Sequence, residues 1–108
     1  MKLLFAVIQN EDNKSLTRSL IEHEISVTRI SSTGGFLRGG NTTLMIGVPE
    51  EKLSIALDTI RAHSSRRQVV SVPAAGIPHN VDSVAMPMTV TVGGATVFIV
   101  DVEDFVRC

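Results

Sequence analysis

Residues 33–43, TGGFLRGGNTT, place four of the chain's eight glycines within eleven positions. Ordering a glycine costs more backbone entropy than ordering any other residue, so neither a helix nor a strand is expected to hold that density. The stretch therefore predicts a loop. The sequence on either side reads as strand. Residues 25–32 (ISVTRISS) alternate Ile25, Val27 and, after a slip, Ile30 against Ser26, Thr28 and Ser31, as in a half-buried strand. Leu44, Met45 and Ile46 resume a short strand that Gly47 ends. Residues 25–47 thus form two strands joined by a Gly-rich connection.

Working outward, each of these strands adjoins a helix. Before residue 25, Asp12 or Asn13 is placed to cap a helix with an apolar stripe of Leu16, Leu20 and Ile21. After Gly47, Pro49 stands where a helix accepts proline at its first position, and Glu50 and Glu51 complement the dipole. Leu53, Ala56, Leu57 and Ile60 give that second helix a buried face, and Arg61 and His63 close it. Residues 2–9 (KLLFAVIQ) are a near-continuous apolar run, the mark of a central strand. Residues 66–72 (RRQVVSV) predict another strand, and 88–100 (MTVTVGGATVFIV) a long one interrupted at Gly93–Gly94, where a bulge or a close backbone approach is expected. Between them, Pro73 to Pro87 carries three prolines and predicts a second long loop.

The order strand, helix, strand, strand, helix, strand, with a further strand, predicts an α+β ferredoxin-like (split βαβ) fold. Its antiparallel sheet carries two helices on one face. A single domain is expected over 1–108, with loops at 33–43 and 73–87. The strands show no clearly polar second face, so subunits are expected to cover it for one another.

Composition narrows the function. Hydrophobic residues make up 44% and charged residues 19%, as in folded globular chains. The formal net charge of -1 supplies no positive field for nucleic acid, so a small molecule or a protein is the expected partner. The run Leu3–Ile8 is too short to span a bilayer and has no small-residue cleavage site after it. The only cysteine is Cys108, which excludes an internal disulfide and fits a cytoplasmic protein. His23, His63 and His79 have no second ligand at metal spacing, so no metal site is expected. Glu50–Glu51 and Glu103–Asp104 lack the apolar enclosure that would raise a carboxyl pKa for acid–base work. Cys108 has no histidine partner.

The chemistry concentrates in the Gly-rich loop. Its glycines let successive N–H groups turn inward as an anion nest, and Arg38 adds a planar cationic fork. Phe36 is placed to stack on a base, and Asn41 offers a donor and an acceptor to a sugar or base edge. The same composition fits a plain flexible hairpin. It is neither a Walker loop nor a dinucleotide-binding GxGxxG, for no GK[ST] follows and no helix begins there.

TGGFLRGGNTT closely resembles the PII-like cyclic-di-AMP receptor family. So do the opening MKLLFAVIQNED, the strand Val27-Thr28-Arg29-Ile30 and Val92-Gly93-Gly94-Ala95-Thr96-Val97-Phe98, in the same order. The resemblance covers most of the chain and is weakest over 73–87. It implies a ferredoxin-like subunit in a PII-like homotrimer, a non-catalytic receptor that takes cyclic di-AMP in clefts between subunits. No cofactor is implied, and loop ordering would signal to a downstream protein.

Carried over by position, the ligand contacts implied are Thr28, Gly35, Phe36, Leu37, Asn41, Gly47 and Phe98. Thr28 would meet an adenine edge. The backbone of Gly35, Phe36 and Leu37 would hold phosphate and ribose oxygens. Gly47 would leave room for a base, and Phe98 would line an apolar wall; on periodicity alone, Phe98 reads first as core packing. Ser26, Arg38 and Arg107 are further candidates. The chain departs from the family's N-x-R-x-T pattern, for Glu24 and Ser26 stand where it has asparagine and arginine. Arg29 and Arg107 are the available substitutes, although Arg29 is expected on the opposite strand face from Thr28. The second loop also lacks the family's tyrosine, with His79 as its chief polar side chain.

Three other readings use the same residues. One keeps the fold with ATP, ADP or another adenine nucleotide as ligand. Another is a loop-mediated adaptor without a small ligand. The third is a small phosphatase built on Arg38 and Asn41, which the lack of a nearby acid or base disfavours.

Overall fold

A computed structural model describes residues 1–30, 40–71 and 87–108. In chain order the elements are β1 (Lys2–Gln9), α1 (Asn13–Glu22), β2 (Val27–Ile30), β3 (Asn41–Val48), α2 (Leu53–Ser64), β4 (Arg67–Ser71), β5 (Met88–Val92) and β6 (Ala95–Asp101). Four strands form an antiparallel sheet in the order β2-β3-β1-β6. β4 and β5 pair separately as a two-stranded ribbon. The ferredoxin-like unit is thus β1-α1-β2-β3-α2-β6, with the ribbon inserted before its last strand.

One face of the sheet makes the core. Leu4, Ala6 and Ile8 of β1 and Leu44, Ile46 and Val48 of β3 are buried against Leu16 and Leu20 of α1 and Ala56 and Ile60 of α2. The apolar run at the N-terminus becomes the central strand because it pairs on both sides, with β3 and with β6.

The expected α1 stripe holds for Leu16 and Leu20 but fails at Ile21, which is 60% exposed. The expected loop 33–43 is too long at its C-terminal end. Asn41, Thr42 and Thr43 belong to β3, because Gln9, Ile8 and Val7 pair with them and Thr42 turns into the core side at 3% exposure. The expected strand 25–32 begins only at Val27, since the Ile25 N–H is taken by the Leu20 carbonyl at 3.0 Å to end α1. Asp12 and Asn13 do not cap α1; a 3₁₀ turn over Asn10–Asp12 precedes it, and Asp12 pairs with Arg67 instead. A second 3₁₀ turn, Glu50–Lys52, stands between Pro49 and α2.

Residues 88–100 are two strands in different sheets. The Gly93–Gly94 pair is the joint, and the close approach expected there is present. Gly93 has φ 83°, and a Cβ on it would lie 2.4 Å from the Ser65 carbonyl oxygen. Any side chain at Gly93 would therefore collide with backbone as well as strain φ.

Candidate functional site

The face of the sheet opposite the helices positions the candidate residues. Directly opposed residues of an antiparallel sheet share a face. The register aligns Thr28, Met45, Phe5 and Phe98 in one row across all four strands. The neighbouring row is Gly47, Leu3 and Val100, and the register continued by one residue sets Ser26 opposite Gly47. Along β3, Asn41, Thr43, Met45 and Gly47 alternate onto this same face.

Thr28, Asn41, Gly47 and Phe98 therefore all lie on the face without helices. Phe98 is 43% and Val100 45% exposed, so this end of the face is open and apolar. Space is open at Gly47, where an added Cβ would have nothing within 4 Å. No strand residue of this face is ionisable: it presents only aliphatic, aromatic, hydroxyl and amide groups. Such a surface suits the faces and edges of nucleobases. Phosphate charge needs donors from elsewhere.

Within one subunit the candidates split between two edges. Thr28 and Gly47 sit on β2 and β3, whereas Phe98 sits on β6, three strand spacings or about 14 Å from Thr28. Gly35, Phe36, Leu37 and Arg38 lie outside the described residues. Arg107 is exposed beyond β6. Arg29 lies on the helix side, where with Val27 it lines a groove against α1.

The residues that sequence reasoning missed are those at the end of β1, which tie the C-terminal stem of the Gly-rich loop to the root of the β4–β5 ribbon. Asn10 donates its N–H to the Gly40 carbonyl at 3.0 Å, and its side-chain oxygen accepts from the Thr42 hydroxyl. The Gln9 side-chain oxygen accepts the Gly93 N–H at 2.7 Å. Asp12, 3% exposed, accepts from the Arg67 guanidinium at 2.7 and 3.4 Å, and this hydrogen bond raises the Arg67 pKa further. Gly94 completes the joint by donating to the Ser64 carbonyl at 2.6 Å. One short stretch, residues 9–12, thus holds the C-terminal stem of the Gly-rich loop and both strands of the ribbon. The local signal was only a polar break after an apolar run; the partners lie 30 to 84 residues away.

Glu24 has a positive φ of 58° and closes α1. Its N–H bonds the Ile21 carbonyl at 2.9 Å, and the Ile25 N–H bonds that of Leu20, the pair that defines a Schellman stop. The departure at Glu24 therefore falls on a helix terminus, where asparagine tolerates the left-handed conformation better. The departure at Ser26, exposed and beside Gly47 and Thr28, falls on the candidate face.

The sequence model of the cyclic-di-AMP receptor family matches residues 1–108. The chain belongs to that family. Among solved structures, a functionally unknown protein from Pediococcus pentosaceus ATCC 25745 superposes with a TM-score of 0.80 at 36% identity, over 99% of this chain and 96% of that one. Membership supports a receptor role for the chain. Among the described residues no helix is long and apolar enough to cross a membrane, and no three His, Cys, Asp or Glu side chains come together.

Proposed function

We propose that the chain is a PII-like signal transduction protein of the cytoplasm, a homotrimer that binds cyclic di-AMP in clefts between subunits and catalyses nothing. The observation that carries this reading is the division of the candidate residues between the two edges of one open face. Thr28 stands on the β2 edge strand with Gly47 on β3 beside it, and Phe98 stands on the β6 edge strand. A closed head-to-tail ring sets the β6 edge of each subunit beside the β2 edge of the next, so one ligand meets all three. In this arrangement the uncharged face receives the bases. The loop backbone at Gly35, Phe36 and Leu37, with Arg38, receives the phosphates, and Asn41 braces the sugar.

Signalling follows from population shift. Ligand favours one arrangement of residues 33–40 and 73–87, and a downstream protein reads that arrangement. The shared anchor at residues 9–12 supports this, since it joins the stem of the Gly-rich loop to the root of the ribbon that carries 73–87.

Calorimetric titration with cyclic di-AMP, ATP and cyclic di-GMP tests the ligand, and light scattering tests the trimer. Micromolar or tighter binding of cyclic di-AMP near one per subunit is expected. Binding of ATP or ADP alone refutes it in favour of another adenine nucleotide, a reading that Ser26 in place of the family arginine favours. Silence with all three refutes it in favour of a loop-mediated adaptor.

A further inference from the structure

On the helix side of the sheet, α1 and β2 enclose a groove of about 440 Å³. Its walls carry three cations, Lys14, Arg18 and Arg29, and one carboxylate, Glu22; its floor is Ile21 and Val27. None of the four charged groups has an ion pair or hydrogen bond among the described residues. Lys14 and Arg18 are four apart on α1, a like-charge pair that destabilises a helix unless something anionic meets it. Ile21 is 60% exposed, which leaves a large aliphatic side chain in water between those cations.

The complementary chemistry lies elsewhere in the same chain. Beyond β6, the segment after Asp101 has no regular structure and carries Glu103, Asp104, Phe105 and Val106 in succession. Phe105 is 58% and Val106 78% exposed, and neither carboxylate has a cation partner among the described residues. The segment leaves from the β6 edge, whereas the groove lies at the β2 edge, with β1 and β3 between them. In a closed ring the β6 edge of one subunit adjoins the β2 edge of the next.

We infer that Glu103–Val106 of one copy docks in the α1–β2 groove of the next, its carboxylates on Lys14, Arg18 and Arg29 and its apolar pair on Ile21 and Val27. The inference rests on the ring proposed above and adds a second subunit contact, on the side of the sheet away from the ligand face. Two carboxylates against three cations and one carboxylate leave the joint without excess negative charge. The apolar pair excludes water from it.

The native chain supplies its own probe. Cys108 is the only cysteine, and the lysines are Lys2, Lys14 and Lys52. A short cysteine–amine reagent is applied to a mixture of light and ¹⁵N-labelled full-length protein, and linked peptides are read by mass spectrometry. A Cys108–Lys14 link between light and heavy copies is expected. The pair Arg18→Glu with Arg29→Glu should abolish that link and raise the subunit dissociation constant at least tenfold. Adding Glu103→Arg with Asp104→Arg should restore both. Links from Cys108 to Lys14 of the same copy overturn the inference. An assembled protein without the link, indifferent to the charge reversals, also overturns it and leaves the ring standing. A monomer by light scattering refutes the ring itself, and the docking with it.

Discussion

Gly47 offers the cleanest separation of ligand binding from folding. Its backbone lies outside the left-handed region, and a Cβ placed on it meets nothing within 4 Å. Alanine there should therefore not strain the subunit. A glycine within a strand costs about 0.5–1 kcal/mol relative to alanine, so Gly47→Ala should leave the melting temperature unchanged or raise it slightly. The ligand experiences the opposite. If a base occupies the space above Gly47, the new methyl overpacks that contact at about 1–3 kcal/mol. That corresponds to a loss of roughly five- to 150-fold in cyclic-di-AMP affinity. Calorimetric titration, thermal denaturation and light scattering on the same preparation resolve the effects. Unchanged affinity in a stable, assembled variant would refute the placement of a base at Gly47, and with it the reading of this face as the ligand wall. A lower melting temperature would refute the premise that the position is open.

Other perturbations act on separate links of the argument. Ser26→Arg restores a cation beside Thr28 and Gly47 at an exposed position, and should tighten cyclic-di-AMP binding in calorimetry by about 1–3 kcal/mol, the scale of a charged hydrogen bond. Glu24→Asn relaxes the left-handed residue that ends α1 and should stabilise the fold by about 0.5–1 kcal/mol in denaturant titration, with affinity unchanged. Arg67→Met leaves the Asp12 carboxylate buried without its cation. Breaking a buried pair costs about 3–5 kcal/mol, and since Arg67 is 41% exposed the expected loss is nearer 1–3, largely recovered in Arg67→Met with Asp12→Asn. The Lys2–Asp101 pair joins β1 to β6: its hydrogen bond lowers the Asp101 pKa below 3.8 and raises that of Lys2 above 10.5. Its stabilisation should be fully present between those values. It should be lost in acid as pH falls through the depressed Asp101 pKa, and in base as pH rises through the raised Lys2 pKa; Lys2→Met should flatten both limbs of a pH–stability profile.

The elements were legible wherever one local pattern settled them. The run KLLFAVIQ had to be a central strand, and the Ala56 and Ile60 spacing had to face a core. The Gly93–Gly94 pair had to interrupt structure. What the sequence hid was long-range pairing. Residues 88–100 read as one strand because both halves alternate well. Only the Gly93 contact with Ser65 and the pairing of β4 with β5 divide them between two sheets. Asn41 read as loop because it follows four glycines, yet its place is set by Gln9 across the sheet. Of the candidate site, the strand positions Thr28, Gly47 and Phe98 came from a resemblance. The structure adds that they share a face and stand at opposite edges of it.

On the proposed reading of the open face as ligand wall, that geometry bears on how so uncharged a surface handles a dianionic ligand. A face without ionisable groups binds bases by contact and leaves charge to be neutralised from outside it. The two departures from the family pattern differ in consequence for this reason. A carboxylate at position 24 caps a helix on the exposed rim, where water screens it and its cost is mainly one of conformation. A hydroxyl at position 26 removes an arginine from the one row of the open face where a cation would stand beside Thr28 and Gly47. Arg29 does not replace it, because strand alternation sends that side chain to the helix side, into the groove with Lys14 and Arg18. On the proposed reading, charge neutralisation then falls to Arg38 of the Gly-rich loop. On that reading, holding the ligand's charge and positioning the Gly-rich loop become the same event.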